Sequence, residues 1–321
     1  MDGYFPVDTG RRRTLKAPIG CVGTGLHSGR RVSLALRPAP AGAGIRFRRT
    51  DIGLEVPALY DNVVETRLCT ALGTPGAPGQ SIATVEHVMA ALAGCRVDDA
   101  TVEIDGPEMP ILDGSAAPFV FLIDCAGTAA QAGGGGVQAI EVLRPVRVQD
   151  GEGPASAWAE LAPTPRGGLE ASLTIDFPAT AIGRQSLAFR LTPQSFRAAL
   201  ADARTFTLAE EVAALRAAGL ARGGSLSNAV VVDGPLVLNP GGLRHTDEFV
   251  RHKLLDVVGD LALAGAPLRA RFSGHRSGHG LNNRLLRALF ADAANWRLAS
   301  SLPAEGAASA RLPAAAAPAT V

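Results

Sequence analysis

Residues 246–265 read TDEFVRHKLLDVVGDLALAG, followed by PLRARFSG (267–274), the loop HRSGHG (275–280) and LNNRLLRALFADAANW (281–296). Val250, Leu254, Val257, Val258 and Leu261 recur at helical spacing, so the first stretch predicts an amphipathic helix. Thr246 is its expected N-cap, and Asp247 and Glu248 suit the positive end of the helix dipole. A strand and a second helix follow. The same order occurs earlier in the chain: helix-like SIATVEHVMAALAG (81–94), strand-like DDATVEIDG (98–106), the loop PEMPILDGS (107–115) and helix-like AAPFVFLIDCAG (116–127). Both first helices end in Ala-Leu-Ala-Gly, at Ala91–Gly94 and Ala262–Gly265, with glycine placed to stop the helix. Alternating strands precede each unit, at 31–37 and 45–48 in the first half and at 169, 172–177 and 188–191 in the second. The reading is a duplicated α+β unit: two similar domains, each a β-sheet with a helix layer.

The stretch 127–136, centred on TAAQAGGGG, predicts a flexible linker. It separates a first domain over 1–130 from a second over 137–302, and the Ala/Pro-rich tail 303–321 reads as disordered. With 321 residues, 47% of them apolar, each half can bury a core. A net charge of +1 provides no field for nucleic acid. Cys21, Cys69, Cys95 and Cys125 form no CxxC pair, which argues against a cysteine zinc module and a disulfide scaffold and fits a reducing, cytoplasmic compartment. The start MDGYFPVDTGRRRTLKAP lacks the apolar core of a secretory signal, and no apolar run has the length of a transmembrane helix.

Within the 246–265 helix, His252, Asp256 and Asp260 follow one another at intervals of four and stack on one face, with Lys253 beside them. Histidine and aspartate so spaced can ligate zinc. The same spacing is common on helices whose polar face is merely solvated and ion-paired. The first half adds Glu86 and His87 inside an otherwise apolar helix, where a polar pair is costly unless exposed or functional. Facing equivalent helices would give three ligands, His87, His252 and Asp256, with a fourth position open to water and Glu86 placed to take its proton. His279, on a glycine-flanked loop, could protonate a leaving amine, with Asp260 holding it charged. His275 reads as a surface residue or one that supports the site from behind, and His245 as structural or exposed.

These segments resemble the zinc-dependent UDP-3-O-acyl-N-acetylglucosamine deacetylase family of Gram-negative bacteria. The resemblance rests on TGLHSG (24–29), LRPAP (36–40), TVEHVMAALAG (84–94), PEMPILDGSAAPF (107–119), ARTF (203–206), DEFVRHKLLDVVGDL (247–261) and SGHGLNN (277–283), and spans about 12–298. It implies zinc on His87, His252 and Asp256, Glu86 as general base, and His279 as a charged histidine supported by Asp260. Thr205 matches an oxyanion-binding threonine, and Lys253 an active-site lysine. It places the site between two helix layers, and adds a βαβ insert at about 204–232 that lines a passage for an acyl chain. Leu208, Val212 and Leu215 form a short stripe there, and Phe206 is a substrate-side residue. A first-domain insert is expected near 45–75, including Cys69, which could ligate an excess ion as thiolate or simply be a buried apolar side chain. Phe177 is a candidate to stack on uracil. Arg276 stands where lysine is common in the family, Thr207 where glycine is common, and the TPGAPGQ loop is long. The implied reaction is deacetylation of an acylated UDP-GlcNAc in lipid A biosynthesis, by a monomer without nucleic-acid partners; Fe²⁺ suits the same ligands. The rival readings are an amidohydrolase acting on another N-acyl sugar, and a binding module without catalysis.

Overall fold

A computed structural model describes residues 10–132, 136–153 and 156–300. The tail 303–321 and part of the expected linker therefore lie outside the described residues. The helices described are α1 (Glu86–Gly94), α2 (Ala117–Ala126), α3 (Pro193–Ala199), α4 (Ala209–Ala217), α5 (Glu248–Ala262) and α6 (His279–Phe290).

The first half folds around a five-stranded sheet ordered Ile19–Thr24, Arg31–Pro38, Ala100–Ile104, Ile45–Arg49, Leu54–Pro57. All neighbours are antiparallel except Ile45–Arg49 and Ala100–Ile104, which run parallel. The second half repeats this order with the same directions: Val146–Asp150, Ala157–Ala162, Leu268–His275, Leu169–Phe177, Gly183–Arg190, the parallel pair again third and fourth. Gln138–Val142 and Trp296–Ser300 extend the second sheet. In each half one helix precedes the central strand and one follows it. The duplication inferred from the order of elements is thus present as matching topology.

Burial alternates along Arg31–Pro38, Ala100–Ile104 and Leu169–Phe177, as expected for sheets covered on one face. The cover is helical. α2 packs on Ile19–Thr24, α6 on Val146–Asp150 and Ala157–Ala162, and α5 on Leu169–Phe177 and Gly183–Arg190. α1 and α5 pack on each other, so the layers run sheet, helices, helices, sheet. Nearly every residue of α1 is buried, which is why, beyond Glu86 and His87, its sequence is apolar all round.

Several expectations change. Thr246 does not cap α5; Asp247 occupies the N-cap without a side-chain capping bond and pairs with Arg251 instead. α1 begins at Glu86, not near Ser81, because Ser81–Ile82 pairs as a strand and Thr84 takes a left-handed φ of 61°. Gly94 does not stop α1 but lies inside it, where a Cβ would sit 2.2 Å from the Phe196 ring. Strands Ile45–Arg49 and Leu54–Pro57 belong to the main sheet. The separate first-half element is a small sheet of Val63–Glu65, Ala71–Gly73 and Ser81–Ile82. Within the expected linker, Thr128–Ala130 pairs with Arg13–Leu15. The 204–232 region contains a βαβ unit: Phe206–Leu208 and Val230–Asp233 are parallel and joined through α4. Among the described residues no helix is long and apolar enough to cross a membrane.

Candidate active site

The site lies where α1 crosses α5. Gly259 permits the crossing: a Cβ there would fall 2.0 Å from the Glu86 carbonyl oxygen, so the backbones meet without a side chain between them. This close approach brings the polar N-terminus of α1 against the His252–Asp260 face of α5.

Ligand atoms of His87, His252 and Asp256 all lie within 4.8 Å of one another, and all three residues are buried. Asp256 Oδ1 is 3.7 Å from His87 Nε2 and 3.4 Å from His252 Nε2. The imidazole rings meet edge to face at 5.1 Å. His252 Nδ1 lies 3.0 Å from the Ala203 carbonyl, which only accepts, so Nδ1 carries the proton and the Nε2 lone pair faces Asp256. Burial depresses both histidines, His87 to about 3 with help from the neighbouring His252, so both rings are neutral donors. Burial works against an ionised Asp256, but neighbouring positive charge, from His252 when it is protonated and from Lys253 and His279, outweighs it and holds the carboxyl below its usual range. Asp256 Oδ1 is buried with no hydrogen-bond partner among the described residues. Two neutral imidazoles and a carboxylate oxygen converging at one buried point form a candidate metal site.

Glu86 flanks this cluster. Burial pushes its carboxyl up to about 7, and His279 opposes the shift. The Thr70 backbone N–H donates to Glu86 Oε2 at 3.0 Å. His279 Nδ1 donates to Asp260 Oδ2 at 2.9 Å, while its Nε2 is 4.0 Å from both Glu86 Oε1 and Asp256 Oδ2. Burial alone would lower His279, but Asp260 prevails and raises it to about 9, leaving an imidazolium at neutral pH. Asp260 also accepts from the Thr70 hydroxyl and from Asn282 Nδ2. Lys253 Nζ contacts Asp256 Oδ2 at 3.1 Å and lies 5.7 Å above the Phe206 ring.

Phe206 packs edge-on against His252, Phe177 and Phe249, so Phe177 reaches the site through one intervening ring. Thr205 is half-buried, and its backbone joins the halves: its N–H donates to the Gly114 carbonyl at 2.8 Å, and its own carbonyl accepts from Val230. Leu208, Val212 and Leu215 are only half-buried, leaving part of the stripe open on the insert. Burial, then the charge of Glu86, pushes the Cys69 thiol up to about 12, so thiolate ligation of a second ion is disfavoured. Arg276 is exposed, with a left-handed φ of 52°, on the loop leading into α6. His245 pairs with Asp202 and His275 lies in a strand, both outside the cluster.

A cavity of about 480 Å³ opens at the other end of the same helix pair, against Met89, Leu92, Val258 and Leu261. None of Glu86, His87, Thr205, His252, Asp256 or His279 lines it, so it is separate from this chemistry.

The family model described as UDP-3-O-acyl N-acetylglycosamine deacetylase matches residues 12–291. The chain belongs to that deacetylase family. A relative from Acidithiobacillus ferrooxidans, named UDP-3-O-acyl-N-acetylglucosamine deacetylase, is 48% identical, covering 89% of this chain and 92% of its own. One of the same name from Shewanella frigidimarina is 44% identical over 90% of this chain and 92% of its own. Another from Phenylobacterium zucineum is 48% identical over 89% and 96%.

In this deacetylase-family chain, three residues near the site were missed from sequence. Glu248 was legible only as an acid suited to the helix dipole. It is fully buried and binds the Arg204 guanidinium through both oxygens, which anchors the segment carrying Thr205 and Phe206. Thr70 comes from the small sheet, and Asn282 from α6; neither carried a spacing signal. Glu108 is also buried, accepting the backbone N–H groups of His27 and Ser28, and ties the TGLHSG loop to the loop after Ala100–Ile104.

Proposed function

We propose that the protein hydrolyses the acetamide of a UDP-3-O-acyl-N-acetylglucosamine to the free amine and acetate, the deacetylation step of lipid A synthesis. The relatives' names support the substrate. The observation that carries the chemistry is the convergence of Glu86, His279 and the His87–His252–Asp256 cluster. The buried carboxylates of Glu86, Asp256 and Asp260 outnumber the cations Lys253 and His279, and Asp256 Oδ1 lacks a donor; a dication satisfies both. Zn²⁺ suits the ligand set, and Fe²⁺ is the alternative ion. When bound, the ion would polarise the amide carbonyl and acidify water.

The chain's own groups then divide the proton work. Ionised Glu86 accepts a proton from the attacking water, whose oxygen bonds to the carbonyl carbon. The Thr205 hydroxyl donates to the developing oxyanion, and the Lys253 and His279 cations stabilise that charge. As the C–N bond breaks, the electron pair stays on nitrogen, which takes a proton from His279 Nε2 or from the acid form of Glu86. Asp260 keeps the imidazole oriented and charged.

The same reading assigns residues 1–130 and 137–302 to two domains joined through 127–136, and the insert at about 204–232 to the acyl chain, received along Leu208, Val212 and Leu215. Phe206 borders the substrate with Cys69 nearby, Phe177 approaches uracil, and Arg276 meets phosphate. The enzyme acts as a cytoplasmic monomer.

The test is an assay of purified protein on UDP-3-O-acyl-GlcNAc, with metal measured on the same sample. Turnover at about one zinc per chain, abolished by a chelator and restored by zinc, is expected, as is poor reaction of UDP-GlcNAc lacking the acyl chain. Turnover indifferent to chelation rejects the metal reading. Equal use of both substrates rejects the acyl-chain reading.

A further inference from the structure

Thr70 stands just before strand Ala71–Gly73 in the small sheet, 2% exposed, with its carbonyl accepting from the Val85 N–H at the entrance to α1. It reaches two different catalytic candidates with two different groups. Its backbone N–H donates to Glu86 Oε2 at 3.0 Å, and its hydroxyl donates to Asp260 Oδ1 at 2.6 Å. The other Asp260 oxygen accepts from His279 Nδ1 at 2.9 Å and Asn282 Nδ2 at 2.8 Å. Asp260 is therefore held at both oxygens, which fixes the plane of its carboxylate and, through it, the direction of the imidazole. Without the hydroxyl, Oδ1 is a buried carboxylate oxygen with no donor, and the carboxylate can turn about its bond to Cβ.

We propose that Thr70 is a positioning residue that ties the base to the acid, setting the Glu86–His279 separation from one anchor. This rests on the functional reading above. The backbone bond survives substitution, whereas the hydroxyl bond does not, so Asp260 and His279 are the groups that side-chain changes at Thr70 disturb. Groups that orient a ligand or catalytic side chain commonly matter by about 10–100-fold when removed.

The experiment compares Thr70→Val and Thr70→Ser in the zinc-loaded, full-length enzyme, alone and in an Asp260→Ala background. For Thr70→Val, kcat falls about 10–100-fold while KM and zinc content hold. Thr70→Ser, which keeps the hydroxyl, restores most of kcat. In the Asp260→Ala background the valine substitution costs less than about twofold, because the partner is already gone. If the valine variant does not accumulate folded, Thr70→Ala takes its place. A second readout is the downfield proton resonance of His279 Nδ1–H, followed by NMR with and without zinc. It moves in Thr70→Val and stays in Thr70→Ser. An unchanged kcat in Thr70→Val, or the same fold-loss with and without Asp260, overturns the proposal. If the wild-type enzyme does not turn over the acylated UDP-sugar, the functional reading fails, yet the resonance still decides whether Thr70 holds the Asp260–His279 pair.

Discussion

Replacing Gly259 by alanine tests whether the α1–α5 crossing sets the site. The added Cβ would lie 2.0 Å from the Glu86 carbonyl oxygen, a backbone atom that no rotamer change can move. Ordinary contact needs at least 3.4 Å, so the helices must separate or slide by about 1.4 Å. His87 moves with α1, while His252 and Asp256 move with α5. Metal–ligand distances tolerate only about 0.2 Å, and a 1 Å misplacement of reacting groups can cost about 100-fold in rate. Gly259→Ala should therefore lower kcat by at least about 100-fold and weaken zinc binding measured by competition with a chromophoric chelator. Stability carries a second sign. In an unobstructed helix interior, alanine stabilises relative to glycine by up to about 1 kcal/mol. Overpacking costs about 1–3 kcal/mol, so urea unfolding of the metal-free variant should show a net loss. Gly94→Ala is the control: its Cβ meets the Phe196 ring two turns beyond His87, so it should destabilise without changing zinc affinity. A Gly259→Ala protein with wild-type zinc affinity, full turnover and raised stability would refute the reasoning.

Glu86→Gln should retain zinc, because Glu86 is not one of the three proposed ligands, and lose about 100–10,000-fold in kcat; metal analysis and steady-state kinetics on one preparation check both. Activity should follow a bell in pH. The base must be ionised, so the rising limb tracks Glu86, held up to about 7 by burial; the imidazolium must persist, so the falling limb tracks His279, raised to about 9 by Asp260 against burial. A bound dication lowers both limbs below these values, and a pH–rate profile rising monotonically through both would remove His279 as an essential acid. Arg204→Leu takes the guanidinium from the buried Glu248 carboxylate, which keeps the backbone N–H groups of residues 204 and 244, and should cost about 1.5–3 kcal/mol in urea unfolding; a loss below about 1 kcal/mol would mean the pair behaves as a surface ion pair.

Much of this architecture was legible because it repeats. Helical spacing from Val250 to Leu261 located α5, and the matching order of elements anticipated a duplicated α+β unit, though not the strand order that the two sheets share. The His252–Asp256–Asp260 row was legible from the four-residue stacking of one helix. The convergence of His87 on it depended on two helices meeting, which no local pattern encodes and which turns on the small size of Gly259. Thr70 was illegible for the same reason: a lone threonine before a three-residue strand has no periodicity to mark it. Glu248 misled because a carboxylate at a helix start is well explained by the dipole, whereas its burial depends on Arg204, far away in sequence. The start of α1 was misplaced because Ile82 and Val85 lead into the apolar helix, yet the Ser81–Ile82 backbone pairs with Leu72–Gly73 instead.

The meeting of α1 with α5 also has a consequence for how the molecule is made. His87 leaves the ribosome well before His252 and Asp256 exist, so until α5 is made it lacks both companions of the buried cluster. A chain halted before α5 has only one of the three donors. On the proposed reading, the three-donor set for a metal ion is complete only once α5 has been made and packed on α1.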